Sequence, residues 1–245
     1  MTAIAAQAIS PPGWARMFRL MTDYVAYDCG GGPRPWKFAW VINFQKVGSF
    51  AFLGFLLWYY KNTSATAWVY VALQGTYGLV WFLKDMAFPD PNWQRRVTIL
   101  GGINAFLLVL GPYWVFGWLL LSGVSRPMYP LPDFAWYCLC ITLSMFGSVL
   151  MIVADAQKYF TLRLKRELIT DGVHAYIRHP NYLGEMMIYT GFALLVWHWF
   201  PVAILAWVWL GVFAPNMAFK EASMSRYPEW VAYKKRTWWL IPFVF

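Results

Sequence analysis

"FAWVINFQKVGSFAFLGFLLWYY" occupies residues 38–60 and contains one charged side chain, Lys46. A helix needs about 20 mostly apolar residues to cross a bilayer, so this stretch predicts a transmembrane helix. Further apolar segments lie at roughly 65–83, 97–121, 133–154, 184–200 and 202–219. The last two meet at "WHWFP", which predicts a tight helical hairpin. The sequence therefore predicts an all-α, polytopic integral membrane protein with about six transmembrane helices.

The composition and charge agree with this fold class. Only 13% of the 245 residues are charged and 60% are hydrophobic, whereas soluble domains carry about 25% charged residues. The net charge of +9 is compatible with nucleic-acid binding or with the cytoplasmic bias of Lys and Arg in membrane proteins. If both termini are cytoplasmic, nearly all loop cations fall on one side and only Lys61 and Arg126 on the other. The pattern thus predicts a multi-pass protein in a lipid bilayer, with both termini cytoplasmic and no nucleic-acid partner.

The N-terminal stretch 10–28 carries apolar side chains at helical spacing. We interpret it as an interfacial amphipathic helix; as a shortened span it would bring the number of transmembrane helices to seven. The chain then divides into an N-terminal cytoplasmic segment at 1–37, N-terminal transmembrane helices at 38–132, and C-terminal transmembrane helices with a tail at 133–245.

The cysteines do not indicate a metal site. Cys138 and Cys140 are two residues apart, which places them on different faces of a helix, and Cys29 is far away in the chain. We therefore expect no metal centre.

The stretch "IRHPNYLGE", residues 177–185, has a composition that topology alone does not require. Cations, amides, aromatics and an acid are interleaved, as in sites that bind a large anionic nucleotide. Pro180 forces His179 out of the helical region, and Asn181 is then predicted to cap the fifth span. A lipid-headgroup loop is the alternative, but Glu185 argues against it because an acid near anionic lipid is costly without a partner.

Three stretches carry a family resemblance: "ADAQKYFTLR", "GVHAYIRHPNYLGE" and "RYPEWVAYKKRTWWLIPFVF". They resemble the C-terminal half of the membrane steroid 5-alpha-reductases and C14 sterol reductases, which use NADPH. The same core is similar to the isoprenylcysteine carboxyl methyltransferases, which use S-adenosylmethionine. The pair Gly184-Glu185, the pair Gln157-Lys158 and the ending "IPFVF" resemble the reductases more closely.

The resemblance implies a cofactor core at 133–245 and a substrate cavity among the helices of 38–132. The residues that it implies for the NADPH phosphates are Lys158, Arg163, Arg178 and His179. Those that it implies for the ribose and nicotinamide end are Asn181, Tyr182 and Glu185, and those that close the site are Asn216, Tyr227 and Tyr233. The many cations suit the three to four negative charges of NADPH better than S-adenosylmethionine, which needs few.

Polar groups inside the first two spans indicate where a substrate would bind. The stretch "FQKVGSF" resembles "LQELPSF" of the 5-alpha-reductases, in which a Gln–Glu pair and a later Tyr address the steroid 3-oxo group. Gln45 matches the glutamine, Lys46 stands where the family has a glutamate, and Tyr77 is our candidate for the tyrosine. An ammonium at this position can polarise an enone carbonyl, or it can indicate a substrate with a carboxylate or phosphate. Snorkelling of Lys46 to the cytoplasmic interface is the structural alternative.

The sequence thus leads to three hypotheses. The first is NADPH-dependent reduction of an activated carbon–carbon double bond in a lipophilic, 3-oxo-Δ4 type substrate, with Gln45, Lys46 and Tyr77 as catalytic residues and Tyr77 as proton donor. The second is a membrane methyltransferase that uses S-adenosylmethionine, of the isoprenylcysteine carboxyl methyltransferase type. The third is a lipid-binding or scaffolding protein without enzymatic activity.

Overall fold

The structure is a computed structural model that describes residues 8–244, which are mostly helical. In chain order the α-helices are α1 (Gly13–Asp23), α2 (Phe38–Tyr60), α3 (Ala65–Ala87), α4 (Ile99–Ala105), α5 (Pro112–Leu121), α6 (Asp133–Leu164), α7 (Pro180–Val196), α8 (Trp199–Val208), α9 (Ala214–Met224) and α10 (Trp230–Arg236). Segments of π-helix follow α1, α4 and α8, at Tyr24–Asp28, Phe106–Leu110 and Trp209–Phe213. A 3-10 turn covers Gly172–Ala175, and the short strands β1 (Trp36–Lys37) and β2 (Arg96–Val97) pair antiparallel.

Three helices in the described part of the chain are long and apolar enough to cross a membrane. They are α2, α6 and the run Trp199–Met224, which joins α8 to α9 through the π-helical segment. The α4 region and α5 make a fourth candidate if this pair, bent by 44°, is one span. The two other predicted spans correspond to α3, which carries Lys84 and Asp85, and to α7, which has 17 residues. The protein is therefore a helical membrane protein with three to four candidate spans, and six spans stay a prediction.

The helix limits match the apolar segments where the segment is one uninterrupted run. α2 coincides with the predicted 38–60. α6 continues to Leu164, beyond the apolar limit at 154, because polar residues extend the helix out of its apolar part. The hairpin at "WHWFP" is confirmed: Trp197 adopts the left-handed conformation (φ 48°) after α7, and α8 begins at Trp199.

The start of α7 corrects one prediction. The helix begins with Pro180 at its first position and His179 as the N-cap residue, so the prediction that Asn181 caps the helix was wrong. Proline tolerates the first helical position because its missing N–H has no partner to lose there. His179 has φ −126° and ψ 54°, outside the helical region as expected for a residue before proline.

The N-terminal amphipathic segment forms a helix that lies against α9. The Arg19 guanidinium lies 4.4 Å from the centre of the Phe219 ring, and the Ile9 N–H donates to the Ser225 hydroxyl at 2.7 Å. On α1 itself, Leu20 remains 74% exposed. An exposed apolar face of this kind is what an interfacial helix requires, and its location in the membrane interface stays a prediction.

Small residues let the helices that carry the site approach closely. A side chain at Gly78 of α3 would collide with the backbone carbonyl of Lys46 in α2. A Cβ at Gly147 of α6 would lie 2.6 Å from the carbonyl oxygen of Gly184 in α7, and the reverse substitution would be equally close. Glycine at such contacts is the usual means by which membrane helices bring their backbones together. These contacts fix α2 against α3 and α6 against α7.

The break between α4 and α5 has a clear chemical cause. Pro112 has no N–H, so it cannot donate to the carbonyl of Leu108 one turn earlier. The indole N–H of Trp207 in α8 donates to that carbonyl instead, at 3.3 Å. The Gly111 N–H donates to the Phe106 carbonyl at 2.6 Å, five residues back, which is the π-helical pattern. A neighbouring helix therefore supplies the hydrogen-bond donor that the bend leaves missing at the Leu108 carbonyl.

Candidate active site

The side chain of Lys46 points into the helical bundle rather than snorkelling to its surface. The residue is 4% exposed, and its ammonium donates to the hydroxyl of Tyr77 in α3 at 3.4 Å and to the hydroxyl of Tyr189 in α7. Three helices from distant parts of the sequence thus meet at one amino group. The structure brings together the predicted pair Lys46 and Tyr77, and it adds Tyr189.

Four aromatic rings surround this ammonium group. The distances from Lys46 Nζ to the ring centres are 4.5 Å for Tyr77, 4.7 Å for Trp81, 4.9 Å for Tyr189 and 5.9 Å for Tyr113. The negative faces of aromatic rings attract a cation at these distances. No acid with a direct ion pair to Lys46 is present among the described residues, so the rings and the tyrosine hydroxyls are its main neighbours. The ammonium is held in place, yet it retains capacity to bind a ligand oxygen.

Two glutamines add unpaired acceptors at the same place. Gln45 donates from its amide nitrogen to the Ser49 hydroxyl at 3.3 Å, and Gln74 donates to the Tyr113 carbonyl at 3.2 Å. The amide oxygens of both glutamines are buried without a hydrogen-bond partner. Buried polar atoms are nearly always paired in folded proteins, so two such residues lining one space with Lys46 indicate a place for a polar ligand group.

These groups line a small enclosed space that we call the chamber. Its lining residues are Gln45, Lys46, Ser49, Gln74, Tyr77, Gly78, Tyr189 and Phe192. The chamber is closely packed, and no part of it is wide enough for a water molecule. Side chains must therefore move before a substrate group enters.

One face of α7 leads from the chamber to the end of the bundle where α7 begins. Tyr182, Glu185 and Tyr189 follow the three- and four-residue spacing that places side chains on one helix face. Glu185 is half-buried and interacts electrostatically with Lys46 and with Lys84. Lys84 in turn forms a buried ion pair with Asp155 of α6, at 2.6 Å. Charged groups therefore extend from the chamber to Asp155 in the second half of α6.

Two lysines lie at this end of the bundle, and we call them the lysine pair. Lys220 Nζ of α9 lies 4.3 Å from the centre of the Tyr182 ring. Lys158 Nζ of α6 lies 3.7 Å from a carboxylate oxygen of Asp90, and its strongest electrostatic neighbour is Lys220. Two ammonium groups held close together favour an anion between them.

Arg178 and His179 are engaged in a different structure, which we call the tail clamp. The Arg178 guanidinium donates to Glu221 of α9 at 2.7 Å and to the Thr237 carbonyl at 2.6 Å. The Nε2 nitrogen of His179 lies 3.2 Å from the same Glu221 oxygen. Ile177 pairs with Trp238 as a parallel β-bridge. The tail therefore folds back onto the start of α7.

Burial sets the protonation of His179. Removal from water lowers the pKa of this imidazole to about 4, and the nearby Glu221 carboxylate offsets only part of that effect. His179 is therefore neutral at pH 7 and donates its Nε2–H to Glu221. A neutral ring with its N–H engaged is a weak partner for phosphate, so the predicted phosphate contact of His179 stays a prediction.

The sequence matches a known protein family over most of its length. The family described as "Protein of unknown function (DUF1295)" matches residues 34–237, which include the whole chamber, the lysine pair and the tail clamp. The chain belongs to the DUF1295 family. This family is associated with steroid 5-alpha-reductase-like membrane proteins.

A curated relative matches over a shorter stretch. An uncharacterized protein of Schizosaccharomyces pombe is 37% identical to this DUF1295 chain over 78 residues, which is 32% of this chain and 27% of the relative. The aligned part thus spans about a quarter of the relative's length, and the family match covers far more of the present chain.

The remaining predicted cofactor residues of this DUF1295 protein lie around the tail. Arg163 is exposed and donates to the Tyr159 hydroxyl at 2.7 Å. The buried Tyr233 donates to the His174 carbonyl at 2.8 Å and so holds α10 to the 3-10 turn. The three other residues are half-buried, in the first turn of α7, in α9 and after α9: Asn181, Asn216 and Tyr227. The roles of these five residues toward a cofactor stay predictions.

The structure adds site residues that the sequence reading of this DUF1295 chain missed. Tyr189 had a visible signal, since it continues the spacing of Tyr182 and Glu185 along one helix face. Glu221 and Asp155 had a weaker one, as acids at the ends of apolar segments. The partner that each selects depends on how the helices pack, which spacing along one helix does not reveal.

Proposed function

We propose that this protein is an NADPH-dependent membrane oxidoreductase that reduces an activated carbon–carbon double bond in a lipophilic substrate of the 3-oxo-Δ4 type. The observation that carries the proposal is the convergence of the Lys46 ammonium with the hydroxyls of Tyr77 and Tyr189 inside an apolar bundle. These donors converge in a buried site, where a carbonyl oxygen that gains negative charge during the reaction would bind.

The chemistry of the chamber residues fits such a reaction. As the double bond of an enone is reduced, negative charge develops on the carbonyl oxygen. The Lys46 ammonium and the Tyr77 hydroxyl would stabilise that charge, and a site without water strengthens the effect. Tyr77 is the proposed proton donor, and Tyr189 keeps the ammonium oriented. The free amide oxygens of Gln45 and Gln74 would accept from a second polar group of the substrate.

The residues at the end of the bundle suit a dinucleotide. Bound NADPH would supply the hydride. Lys158 and Lys220 offer two positive charges next to the Tyr182 ring for its phosphates. On α7, Glu185 lies between Tyr182, next to the lysine pair, and Tyr189, in the chamber. A carboxylate at this position would accept hydrogen bonds from a ribose or an amide.

One observation favours the alternative of a methyltransferase that uses S-adenosylmethionine. Arg178 and His179 are bound to Glu221 in the tail clamp, which leaves fewer free cations than NADPH would use. S-adenosylmethionine needs few cations, and the chamber would then orient a methyl acceptor. The lysine pair favours the reductase, because the several phosphates of NADPH gain more from two neighbouring ammonium groups than the one carboxylate of S-adenosylmethionine.

Thermal stability of the detergent-purified protein separates these functions. We expect NADPH to raise the midpoint of unfolding and S-adenosylmethionine to leave it unchanged, because a ligand that binds only the folded state stabilises it. Lys220→Met should abolish the NADPH effect, whereas Lys165→Met, at an exposed position, should preserve it. Stabilisation by S-adenosylmethionine instead assigns the protein to the methyltransferases. No response to either cofactor leaves lipid binding or scaffolding as the function.

A further inference from the structure

An apolar groove opens on the outer side of the bundle, at the break between α4 and α5. Its volume is about 490 Å³, which is within the range of small-molecule sites. We call it the lateral groove, and its lining residues are Phe52, Phe106, Leu107, Gly111, Pro112, Trp114, Val115, Trp118 and Phe200. Every one of them is apolar or aromatic, so the groove offers no partner for a charged headgroup.

Trp114 connects the lateral groove to the chamber wall. Trp114 lines the groove, and its indole N–H donates to the Ser49 hydroxyl at 2.8 Å and to the Gln45 carbonyl at 3.2 Å. Ser49 and Gln45 both line the chamber. The indole ring of Trp114 therefore belongs to the groove and is hydrogen-bonded to two residues of the chamber wall.

The apolar contacts of Trp114 come from the groove itself. The ring stacks on Phe52 with centres 4.6 Å apart and contacts Phe106 edge-on at 5.4 Å. Trp114 lies in the first turn of α5, directly after the break at Pro112. The usual hydrogen-bond ladder is interrupted there, so a small shift of this turn disturbs fewer bonds than it would inside a continuous helix.

We propose that the lateral groove binds the apolar body of the lipophilic substrate and that Trp114 is the gate through which its oxygen-bearing end reaches the chamber. This inference rests on the proposed reductase function. The chamber alone is too tight for a ring system, whereas chamber and groove together offer a polar end and an apolar body. The occupant is thus a cyclic enone with an apolar skeleton, and a bilayer phospholipid would meet no partner for its charged end.

Photolabelling of the protein in lipid nanodiscs tests the groove directly. The probe is a cyclic 3-oxo-Δ4 steroid that carries a diazirine and an alkyne, and the labelled residues are mapped by mass spectrometry. We expect labels on Phe52, Leu107 and Val115 that disappear in the presence of excess unlabelled enone. Labels spread over lipid-facing positions such as Phe146 of α6, and insensitive to competitor, overturn the inference.

Filling the groove gives a matched pair of variants. Leu107→Trp places an indole in the groove and should abolish the competed labels at Phe52 and Val115. Leu108→Trp is the control, because the neighbouring Leu108 is exposed but does not line the groove. Thermal midpoints of both variants verify that they fold. Competed labels that persist in Leu107→Trp contradict the groove as the binding site.

The gate needs a separate pair of variants. Trp114→Phe keeps a ring but loses the hydrogen bonds to Ser49 and Gln45, so it should speed labelling of Tyr77 in the chamber by the same probe. Trp114→Ala should speed it further, and unchanged chamber labelling in both removes the gate.

NADPH-induced stabilisation is measured in parallel on the unmodified protein. If NADPH gives no shift while competed labels still map to the groove, the reductase proposal fails and the groove remains. If NADPH stabilises the protein while the groove stays unlabelled, this inference alone fails.

Discussion

The chamber and the tail clamp both contain a buried cation, yet their hydrogen bonding differs. Arg178 in the clamp has a carboxylate partner and a backbone carbonyl within 2.7 Å. Lys46 in the chamber has two tyrosine hydroxyls and a set of aromatic rings, next to glutamine oxygens that have no partner. One cation has an acidic partner within the protein, and the other retains capacity for a ligand.

This difference in pairing distinguishes polar residues that stabilise the fold from polar residues that are available for a ligand. A cation bound to a carboxylate and a carbonyl of its own chain fastens two segments together, as Arg178 fastens the tail to α7. A cation with incomplete pairing in a tight site is costly to the fold, and such sites are common where a ligand is bound. Arg178 and His179 thus hold the tail clamp together, and their roles toward a cofactor stay predictions, while the reaction is proposed to take place in the chamber.

The largest expected effect comes from breaking the clamp. Arg178→Ala leaves the half-buried Glu221 carboxylate without its main partner, which should cost about 3 kcal/mol of unfolding free energy. Unfolding by sodium dodecyl sulfate in mixed micelles measures it. Lys165→Ala, at a side chain that is 72% exposed, is the control and should change the value by less than about 0.5 kcal/mol. A loss below about 1 kcal/mol for Arg178→Ala would contradict the structural role.

Removal of the chamber cation should have the opposite outcome. Lys46→Met keeps an unbranched side chain of similar length but removes the donor to the substrate oxygen. We expect turnover of an enone with NADPH to fall by about 10²–10³, as for the loss of one donor in an oxyanion site. The unfolding free energy should stay equal or rise, because an incompletely paired buried cation is replaced by an apolar group.

Two results for Lys46→Met would contradict this prediction. Full activity in this variant removes Lys46 from the chemistry. A large loss of stability shows instead that Lys46 has a structural role like that of Arg178. The decrease in NADPH absorbance measures the activity, and the mixed-micelle titration measures the stability.

A pH titration sharpens the account of the clamp. Burial lowers the pKa of His179 to about 4, below the value of about 6.5 in the unfolded chain. Above pH 6.5 the imidazole is neutral in both the folded and the unfolded state, so protonation of His179 does not reduce the unfolding free energy there. As the pH falls from 6.5 toward 4, the unfolded chain binds a proton first and the free energy of unfolding decreases, by about 3 kcal/mol over the window.

The variant His179→Gln isolates this contribution. Between pH 6.5 and 4, the unfolding free energy of this variant should fall by about 3 kcal/mol less than that of the unmodified protein. The matched variant is His198→Gln at the other end of α7, which should keep the full slope. Identical slopes in all three proteins would show that His179 is not neutral in the folded state.

The sequence predicted the helical framework better than the contacts. α2 could be placed to the residue because its apolar run has no breaker, and the hairpin before Trp199 because "WHWFP" interrupts two such runs. The bend at Pro112 was missed, although the proline was visible, because the apolar run on both sides reads as one span. Two helical pieces joined by a π-helical turn have the same composition as one straight helix.

The site was predicted where it depends on local order and missed where it depends on packing. The meeting of Lys46 with Tyr77 followed from a resemblance, whereas the bond to Tyr189 spans 143 positions in the chain and depends on how α7 packs against α2. In the same way, the resemblance implied cofactor phosphates as partners of Arg178. It gave no sign of the ion pair with Glu221, which depends on how α9 packs beside the start of α7.

The smallest expected effect tests whether the chamber is truly underpaired. Gln45→Leu removes a weak hydrogen bond to Ser49, of 3.3 Å, together with an amide oxygen that has no partner. Because these two losses oppose each other, the unfolding free energy should change by less than about 1 kcal/mol. The KM for the enone should nevertheless rise, since the oxygen is proposed to bind the substrate.

A matched variant in the clamp gives this last result its meaning. Thr237→Val removes a hydroxyl that donates to the Tyr233 carbonyl at 2.7 Å and accepts from Arg178, so both partners of a satisfied bond are affected. It should cost more stability than Gln45→Leu, by about 1 kcal/mol or more, and leave KM unchanged. If Gln45→Leu proves the more destabilising of the two, the Gln45 oxygen has a partner within the protein. The chamber would then be as fully paired as the clamp, and the distinction between a site for chemistry and a site for stability would be lost.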